Sequence, residues 1–108
     1  MALDFHIAKS ESEAPGNYGG VSFDENIHEI MFYRNGLPQG DFQYFKRMKD
    51  YYKDAKYIGD DINKLLAEIK ILKISFTTNS GIINQLNEIE RMCHEANVKK
   101  MNLWVYCD

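Results

Sequence analysis

The stretch Asp50-Tyr51-Tyr52-Lys53-Asp54-Ala55-Lys56-Tyr57, followed by Gly59-Asp60-Asp61, joins two segments that both show the apolar spacing of helices. After it, apolar residues recur every three or four positions, at Ile62, Leu65, Leu66, Ile69 and Leu72. Two adjacent stripes of apolar residues run up to it and into its first residues. One stripe is Phe42, Phe45 and Tyr52, and the other is Tyr44, Met48 and Tyr51. Such spacing predicts amphipathic helices. We therefore predict one helix over residues 41–55, capped by Asp41, and a second that starts at Asp60 or Asp61.

A third helix is predicted after Asp24, whose carboxylate can accept hydrogen bonds from the backbone at a helix start. Ile27, Ile30 and Met31 then share one helical face. A strand competes with this prediction because apolar side chains also alternate over residues 30–33. We favour the helix, which Asn35-Gly36 ends.

The fourth predicted helix begins at Asn79 or Ser80, either of which can act as its cap. Its apolar face is the longest in the chain, with Ile82, Ile83, Leu86, Ile89, Met92, Cys93 and Ala96. Asn97 is the predicted stop, since asparagine tolerates the left-handed conformation that ends many helices.

Alternating apolar and polar residues predict strands at both ends of the chain. Residues 3–8 alternate with one buried face, residues 9–20 are a loop, and residues 21–23 are at best a short strand. Residues 101–107 are apolar or aromatic on both faces, which indicates a central, covered strand. We predict a single α+β domain over residues 1–108. It has a small antiparallel sheet that includes the N-terminal and C-terminal strands, with about four helices packed on it.

The charge of the chain is unevenly distributed. The net charge is −3, and residues 1–30 carry six acids and one base. An acidic first third argues against a general nucleic-acid binder, whose basic face should dominate, and allows attraction to a basic protein partner. The basic residues between 46 and 56 are interrupted by Asp50 and Asp54, so we interpret them as a solvated surface.

Targeting and cysteine patterns point to the cytoplasm. The N-terminus lacks the basic and apolar regions of a signal peptide, and no apolar run is long enough to span a membrane. Cys93 and Cys107 form no CxxC motif, so we expect both thiols to be reduced.

No pattern in the sequence predicts catalysis, a cofactor or a metal site. His28-Glu29 lacks the second histidine of a zinc-protease motif, and the other histidines and cysteines are scattered. Adjacent helical residues point about 100° apart, so Cys93 and His94 cannot easily form a nucleophile–base pair. Asp60 and Asp61 are explained by helix capping. The glycines of residues 16–20 lack the lysine and the strand–helix context of a phosphate loop.

One surface remains as a candidate for binding, because it combines acidic residues with an aromatic ring. We predict that a partner docks there, on Glu11, Glu13, Tyr18, Asp24 and Glu25.

Residues 25–108 resemble small bacterial immunity proteins of contact-dependent growth inhibition and polymorphic toxin systems, and related bacterial proteins. The resemblance rests on Ile27-His28-Glu29-Ile30-Met31-Phe32, on Phe45 to Ala55, on the leucine-patterned helix and on Met101-Asn102-Leu103-Trp104-Val105-Tyr106-Cys107-Asp108. It implies a cytosolic inhibitor that binds one cognate toxin domain, with nucleases among the common targets. It transfers no binding residue. Two alternatives stay open: a small structural or adaptor protein that self-associates through its tyrosine-rich helix, and a small enzyme with an unrecognised site.

Overall fold

A computed structural model describes residues 2–107 as an α+β fold with a four-stranded antiparallel sheet and three α-helices. Met1 and Asp108, the two ends of the predicted domain, lie outside the described residues. The elements are β1 (Leu3–Ala8), β2 (Tyr18–Phe23), α1 (Glu25–Glu29), β3 (Ala55–Tyr57), α2 (Asp61–Ser75), α3 (Ser80–Lys99) and β4 (Asn102–Cys107). The strand order β2-β1-β4-β3 makes β1 and β4 the central pair, and the sequence predicts this central position for β4.

The inner face of the sheet is apolar because of the strand alternation. Phe5 pairs with Val21 on one side and with Val105 on the other, and all three side chains are buried. The apolar faces of α2 and α3 contribute to the same core, which Leu65, Ile69, Leu86 and Ile89 fill without exposed surface. Burial of these side chains is the main source of stability.

The outer face of the sheet carries the alternate residues of each strand. Trp104 is buried there with Ala8 and Ala14, and its indole N–H donates to the carbonyl oxygen of Ala8 at 3.0 Å. The turn of 3₁₀ helix over Ala14–Gly16 therefore covers part of this face. The structure thus confirms that β4 is covered on both faces around Trp104.

The second strand is longer than its sequence suggests. It begins at Tyr18, so residues 18–20 belong to β2 and the predicted loop over 9–20 ends earlier. Its pairing with β1 shifts between Phe5 and His6, and Gly20 adopts a φ of +82° at this irregularity. Glycine permits that conformation, which allows the strand to continue past the bulge.

The helix predicted after Asp24 is confirmed over the competing strand. The Asp24 carboxylate accepts from the backbone N–H of Ile27 at 2.9 Å and caps α1. The helix continues as a π-helical turn over Ile30–Arg34, in which Asn35 N–H donates to the Ile30 carbonyl oxygen.

The predicted helix over residues 41–55 is wrong. The segment contains only a turn of 3₁₀ helix, Phe45–Met48, before a series of turns and β3. Its buried side chains, Phe42, Phe45, Met48 and Tyr51, recur every three residues. That period fits a 3₁₀ turn better than the 3.6 residues of an α-helix. The loss of this element reduces the predicted four helices to three α-helices in residues 2–107.

The ends of the two long helices are partly as predicted. Helix α2 starts at Asp61, but the Asp60 side chain makes no cap and instead accepts from Asn63. Asn79 caps α3 through the N–H of Ile82. The stop predicted at Asn97 is wrong: α3 continues to Lys99.

The left-handed residue that ends α3 is Lys100, with a φ of 56°. The next N–H, on Met101, donates to the Ala96 carbonyl oxygen, and the Met101 side chain packs against the core. This is the Schellman arrangement with its apolar contact. It fixes the end of the helix at Lys99, although Asn97 is a residue type that often ends helices.

Candidate partner-binding sites

A cleft of about 370 Å³ lies between α1, the π-helical turn and the segment that leads into β3. We call it the tyrosine cleft; its walls are Glu25, Glu29, Tyr33, Asp50, Tyr51 and Tyr52. Three aromatic rings and three carboxylates thus line one concave surface.

His28 forms the buried floor of the tyrosine cleft, with 3% of its surface exposed. Its Nε2–H donates to the carbonyl oxygen of Met48 at 2.6 Å, and its ring contacts Tyr51 at a centroid distance of 4.8 Å. Burial lowers the pKa of His28 below its ordinary value, against the opposing effects of the Met48 hydrogen bond and of the Asp50 and Glu25 charges.

Hydrogen bonds hold two of the tyrosine rings in place. Tyr33 donates to the Lys49 carbonyl oxygen at 3.1 Å, and the buried Tyr51 donates to the Phe23 carbonyl oxygen at 2.7 Å. Tyr52 stands edge-on to Tyr51, with ring centroids 6.1 Å apart. Tyr33 and Tyr52 nevertheless remain 60% and 63% exposed. The cleft therefore presents large rings to solvent in a largely preorganised arrangement.

The charges around the tyrosine cleft are mixed, with carboxylates on its walls and bases at its rim. Arg34 pairs with Glu29 at 3.4 Å, and the Lys49 ammonium lies 5.9 Å from the Tyr33 ring centroid. Both contacts are at the surface, where ion pairs contribute little.

A second concave surface lies on the outer face of the sheet. This cavity of about 490 Å³ we call the sheet cavity; it is lined by Asp4, His6, Glu11, Asp54, Tyr106 and Cys107. The sheet positions its side chains, since Asp4 faces Tyr106 and His6 faces Trp104 across the β1–β4 pair.

Two polar atoms of the sheet cavity are buried without a hydrogen-bond partner among the described residues. They are Nδ1 of His6 and the hydroxyl oxygen of Tyr106. The two rings meet edge-to-face at a centroid distance of 5.1 Å, and His6 is only 7% exposed. Burial raises the pKa of Tyr106, and the charges of Glu11 and Asp54 add to this effect.

The structure places two of the five residues of the predicted docking surface in these two sites, one in each. Glu11 lines the sheet cavity, and the Tyr18 ring lies beside it, tilted against the His6 ring at a centroid distance of 5.7 Å. Glu25 lines the tyrosine cleft, while Asp24 is occupied as the cap of α1. Glu13 is exposed and belongs to neither site.

Within residues 2–107, no three histidine, cysteine, aspartate or glutamate side chains come together as they would around a metal ion. Cys93 is buried in the core, and burial raises its pKa to about 12. No helix in the described part of the chain is long and apolar enough to cross a bilayer.

Comparison of the chain with protein-family models, with curated proteins and with solved structures gave no match.

Sequence reasoning missed the residues that shape both sites. His6 and Tyr106 lie on the outer face of the two central strands. The alternation of each strand could have placed them on that face from the sequence. Tyr33 and Tyr52 are distant in sequence, so only the folded chain shows that they share a cleft.

Proposed function

We propose that this protein is an immunity protein, a binding protein that neutralises a cognate toxin domain in the cytoplasm. It acts by covering a basic surface of its target, such as the cleft of a nuclease, and it uses no cofactor and catalyses no reaction. The tyrosine cleft is the proposed docking surface. The support comes from its exposed rings and carboxylates and from the resemblance of residues 25–108 to immunity proteins.

The observation that carries the proposal is the pair of exposed tyrosines, Tyr33 and Tyr52, between three carboxylates. Tyrosine is enriched among the residues that dominate binding energy, because its ring adds contact area with few rotatable bonds. Carboxylates beside such rings attract lysine and arginine and exclude acidic partners. A basic protein segment therefore fits this cleft best.

The test is co-expression with the C-terminal domain of the protein encoded immediately upstream of this gene. We expect cells that carry both to grow and cells that carry the domain alone to die. In a binding assay, Tyr33→Ala or Tyr52→Ala should weaken affinity by about 30-fold, the effect of losing one dominant contact. The control is Val98→Ala, which removes an 82% exposed side chain from α3.

Three outcomes separate the parts of this proposal. Absence of both rescue and binding contradicts the proposed function. Rescue that survives both tyrosine substitutions supports the function but rejects the tyrosine cleft as the docking surface. An association rate that does not fall with added salt contradicts the role of the carboxylates.

Self-association is a second candidate function, and one feature of α2 favours it. Ile71 and Ile74 point outward on this helix and are 53% and 77% exposed. Exposed apolar side chains on one helix face can pair two copies of a chain. Sedimentation across a range of concentrations tests this: a dimer that Ile74→Lys dissociates would support it, and a monomer throughout would reject it.

A further inference from the structure

We propose that the sheet cavity binds a small organic cation with N–H donors, an alkylammonium or guanidinium group. This site is separate from the tyrosine cleft and does not depend on the proposed function. The group can belong to a free amine or to a lysine or arginine side chain of another protein. Its recognition chemistry is the same in both cases.

The first argument is the pair of unpartnered atoms, Nδ1 of His6 and the hydroxyl of Tyr106. Native proteins satisfy the large majority of buried polar groups, so two neighbouring exceptions on one cavity wall call for an explanation. With its proton on Nε2, His6 offers a lone pair at Nδ1, and a tyrosine hydroxyl also accepts. A ligand with two N–H donors can therefore satisfy both atoms.

The second argument is charge. Asp4, Glu11 and Asp54 line the cavity, and a base beside it is Lys56, which lines an adjoining pocket that shares Glu11, Asp54 and Tyr106 with the cavity. None of the three carboxylates belongs to an ion pair formed within residues 2–107. A cation that enters here gains attraction from all three carboxylates, whereas an anion is repelled.

The third argument is that two of the three carboxylates are held in place before any ligand arrives. Asp4 accepts from the Ser22 hydroxyl at 2.6 Å, and Ser22 is also within hydrogen-bond distance of the Tyr18 hydroxyl at 2.9 Å. Asp54 accepts from the backbone N–H of Cys107 at 2.8 Å. Side chains fixed in this way lose little freedom on binding.

Size and surroundings favour an organic cation over a bare metal ion. A volume of about 490 Å³ exceeds the space that a metal ion occupies and lies in the range of small-molecule sites. The aromatic walls of Tyr106 and His6 can also contact a delocalised cation through their ring faces. The two unpartnered atoms are closed off from solvent, so a small side-chain adjustment must accompany binding, as is common at binding sites.

The experiment is a titration of the purified protein with methylguanidinium in phosphate buffer of low ionic strength, observed by nuclear magnetic resonance. Tris is excluded because it is itself an amine. We expect saturable changes in the ring signals of His6 and Tyr106, with a dissociation constant of about 1 mM. The bound cation should also lower the pKa of the Tyr106 hydroxyl. N-Methylurea, a neutral molecule of similar shape, should cause no saturable change.

Two variants and one control identify the site. Tyr106→Phe and Glu11→Gln should each weaken binding about tenfold, the effect of losing a hydrogen bond or an attraction to a charged group. Glu88→Gln removes an exposed carboxylate from α3 and should leave the affinity unchanged. Equal effects of all three substitutions would overturn the proposal, because they would indicate attraction to the overall negative charge.

Two further ligands distinguish the sources of the cation. Tighter binding of spermidine than of a blocked Gly-Arg-Gly peptide supports a free amine, and the reverse order supports a protein side chain. Absence of saturable binding for methylguanidinium, spermidine and the peptide overturns the proposal. Displacement of methylguanidinium by micromolar Zn²⁺ would also overturn it, in favour of a metal site.

Discussion

The side chain of Gln85 on α3 holds the backbone around Asp24, where β2 passes into α1. Its Oε1 accepts from the Asp24 N–H at 2.9 Å, and its Nε2 donates to the Ser22 carbonyl oxygen at 3.1 Å. Gln85 is only 6% exposed, so water cannot easily replace these bonds. One amide thus connects a helix of the core to the turn that leads into the tyrosine cleft.

Gln85→Met is therefore expected to lower the free energy of unfolding by about 2 kcal/mol. Methionine has a similar shape but takes away the partners of a partly buried N–H and a partly buried carbonyl, and an unsatisfied buried group costs about 1–3 kcal/mol. Urea denaturation measures the effect. The matched control is Asn87→Met on the same helix, where the side chain is exposed and the expected change is below about 0.5 kcal/mol. Equal stabilities of the two variants would contradict this role of Gln85.

Gly19 lies where β2 passes directly over a core methionine. A Cβ placed on Gly19 would lie 1.9 Å from Cε and 2.8 Å from Sδ of Met92, which has no exposed surface. Gly19→Ala should therefore cost about 1–3 kcal/mol of stability through overpacking. Thermal denaturation measures this, with Gly16→Ala as control because a Cβ there meets nothing within 4 Å.

The mechanism predicts coupling between the two positions. In a Met92→Ala background, the alanine at position 19 fills space that the methionine has left, so the cost of Gly19→Ala should fall. An unchanged cost in that background would mean that the penalty comes from the backbone of β2.

The pH dependence of stability should report the burial of His28. Because burial lowers its pKa in the folded state, the unfolded chain binds a proton more readily as the pH falls below about 6.5. Stability contributed by the neutral ring is therefore present above that pH and is lost below it. Urea denaturation measures this loss of stability when it is repeated from about pH 8 to about pH 5, a range that spans the ordinary histidine pKa of about 6.5.

His28→Gln should make the stability less sensitive to pH in this range. Glutamine does not titrate, and its side-chain N–H can still reach the Met48 carbonyl oxygen. His94→Gln is the control, since His94 is exposed on α3. A pH profile that His28→Gln leaves unchanged would assign the dependence to other groups.

The two central strands and the starts of α1 and α3 could be predicted from the sequence because alternation and caps are local signals, whereas β3 was not predicted. Residues 3–8 and 102–107 alternate as the residues of a strand do. Asp24 and Asn79 cap their helices through hydrogen bonds to residues three positions along the chain, so long-range contacts are not needed to predict these caps. The full length of β2 was harder to predict, because Gly19 and Gly20, near its start, carry no side-chain pattern. The end of α3 was also missed, because an apolar contact of Met101 decides it.

The segment from residue 41 to residue 57 could not be predicted, for a different reason. Its aromatic residues fit a helical stripe, but turn geometry and long-range contacts determine its path. Phe42 adopts a φ of 44°, and Tyr57 donates its buried hydroxyl to the Tyr44 carbonyl oxygen at 2.6 Å. The tyrosine cleft could not be predicted for the same reason, because Asp50, Tyr51 and Tyr52 belong to this segment.

Glu68 on α2 is the side chain that holds the start of this segment. Its two carboxylate oxygens accept from the N–H groups of Tyr44 and Phe45 at 3.2 and 2.8 Å, where the 3₁₀ turn leaves its first amides without partners. Glu68→Gln replaces one acceptor by an NH₂ group that faces an N–H. We expect the amide hydrogens of Tyr44 and Phe45 to exchange several-fold faster, with Glu88→Gln as the control.

The same substitution should reach the tyrosine cleft through the backbone. The 3₁₀ turn that Glu68 anchors ends at Met48, whose carbonyl oxygen accepts the buried hydrogen bond from His28. If the turn loosens, His28 loses its fixed partner, and the ring signals of Tyr51 and Tyr52 should shift in nuclear magnetic resonance spectra. Faster exchange at Tyr44 and Phe45 without any change at Tyr51 and Tyr52 would show that the cleft is held independently of Glu68.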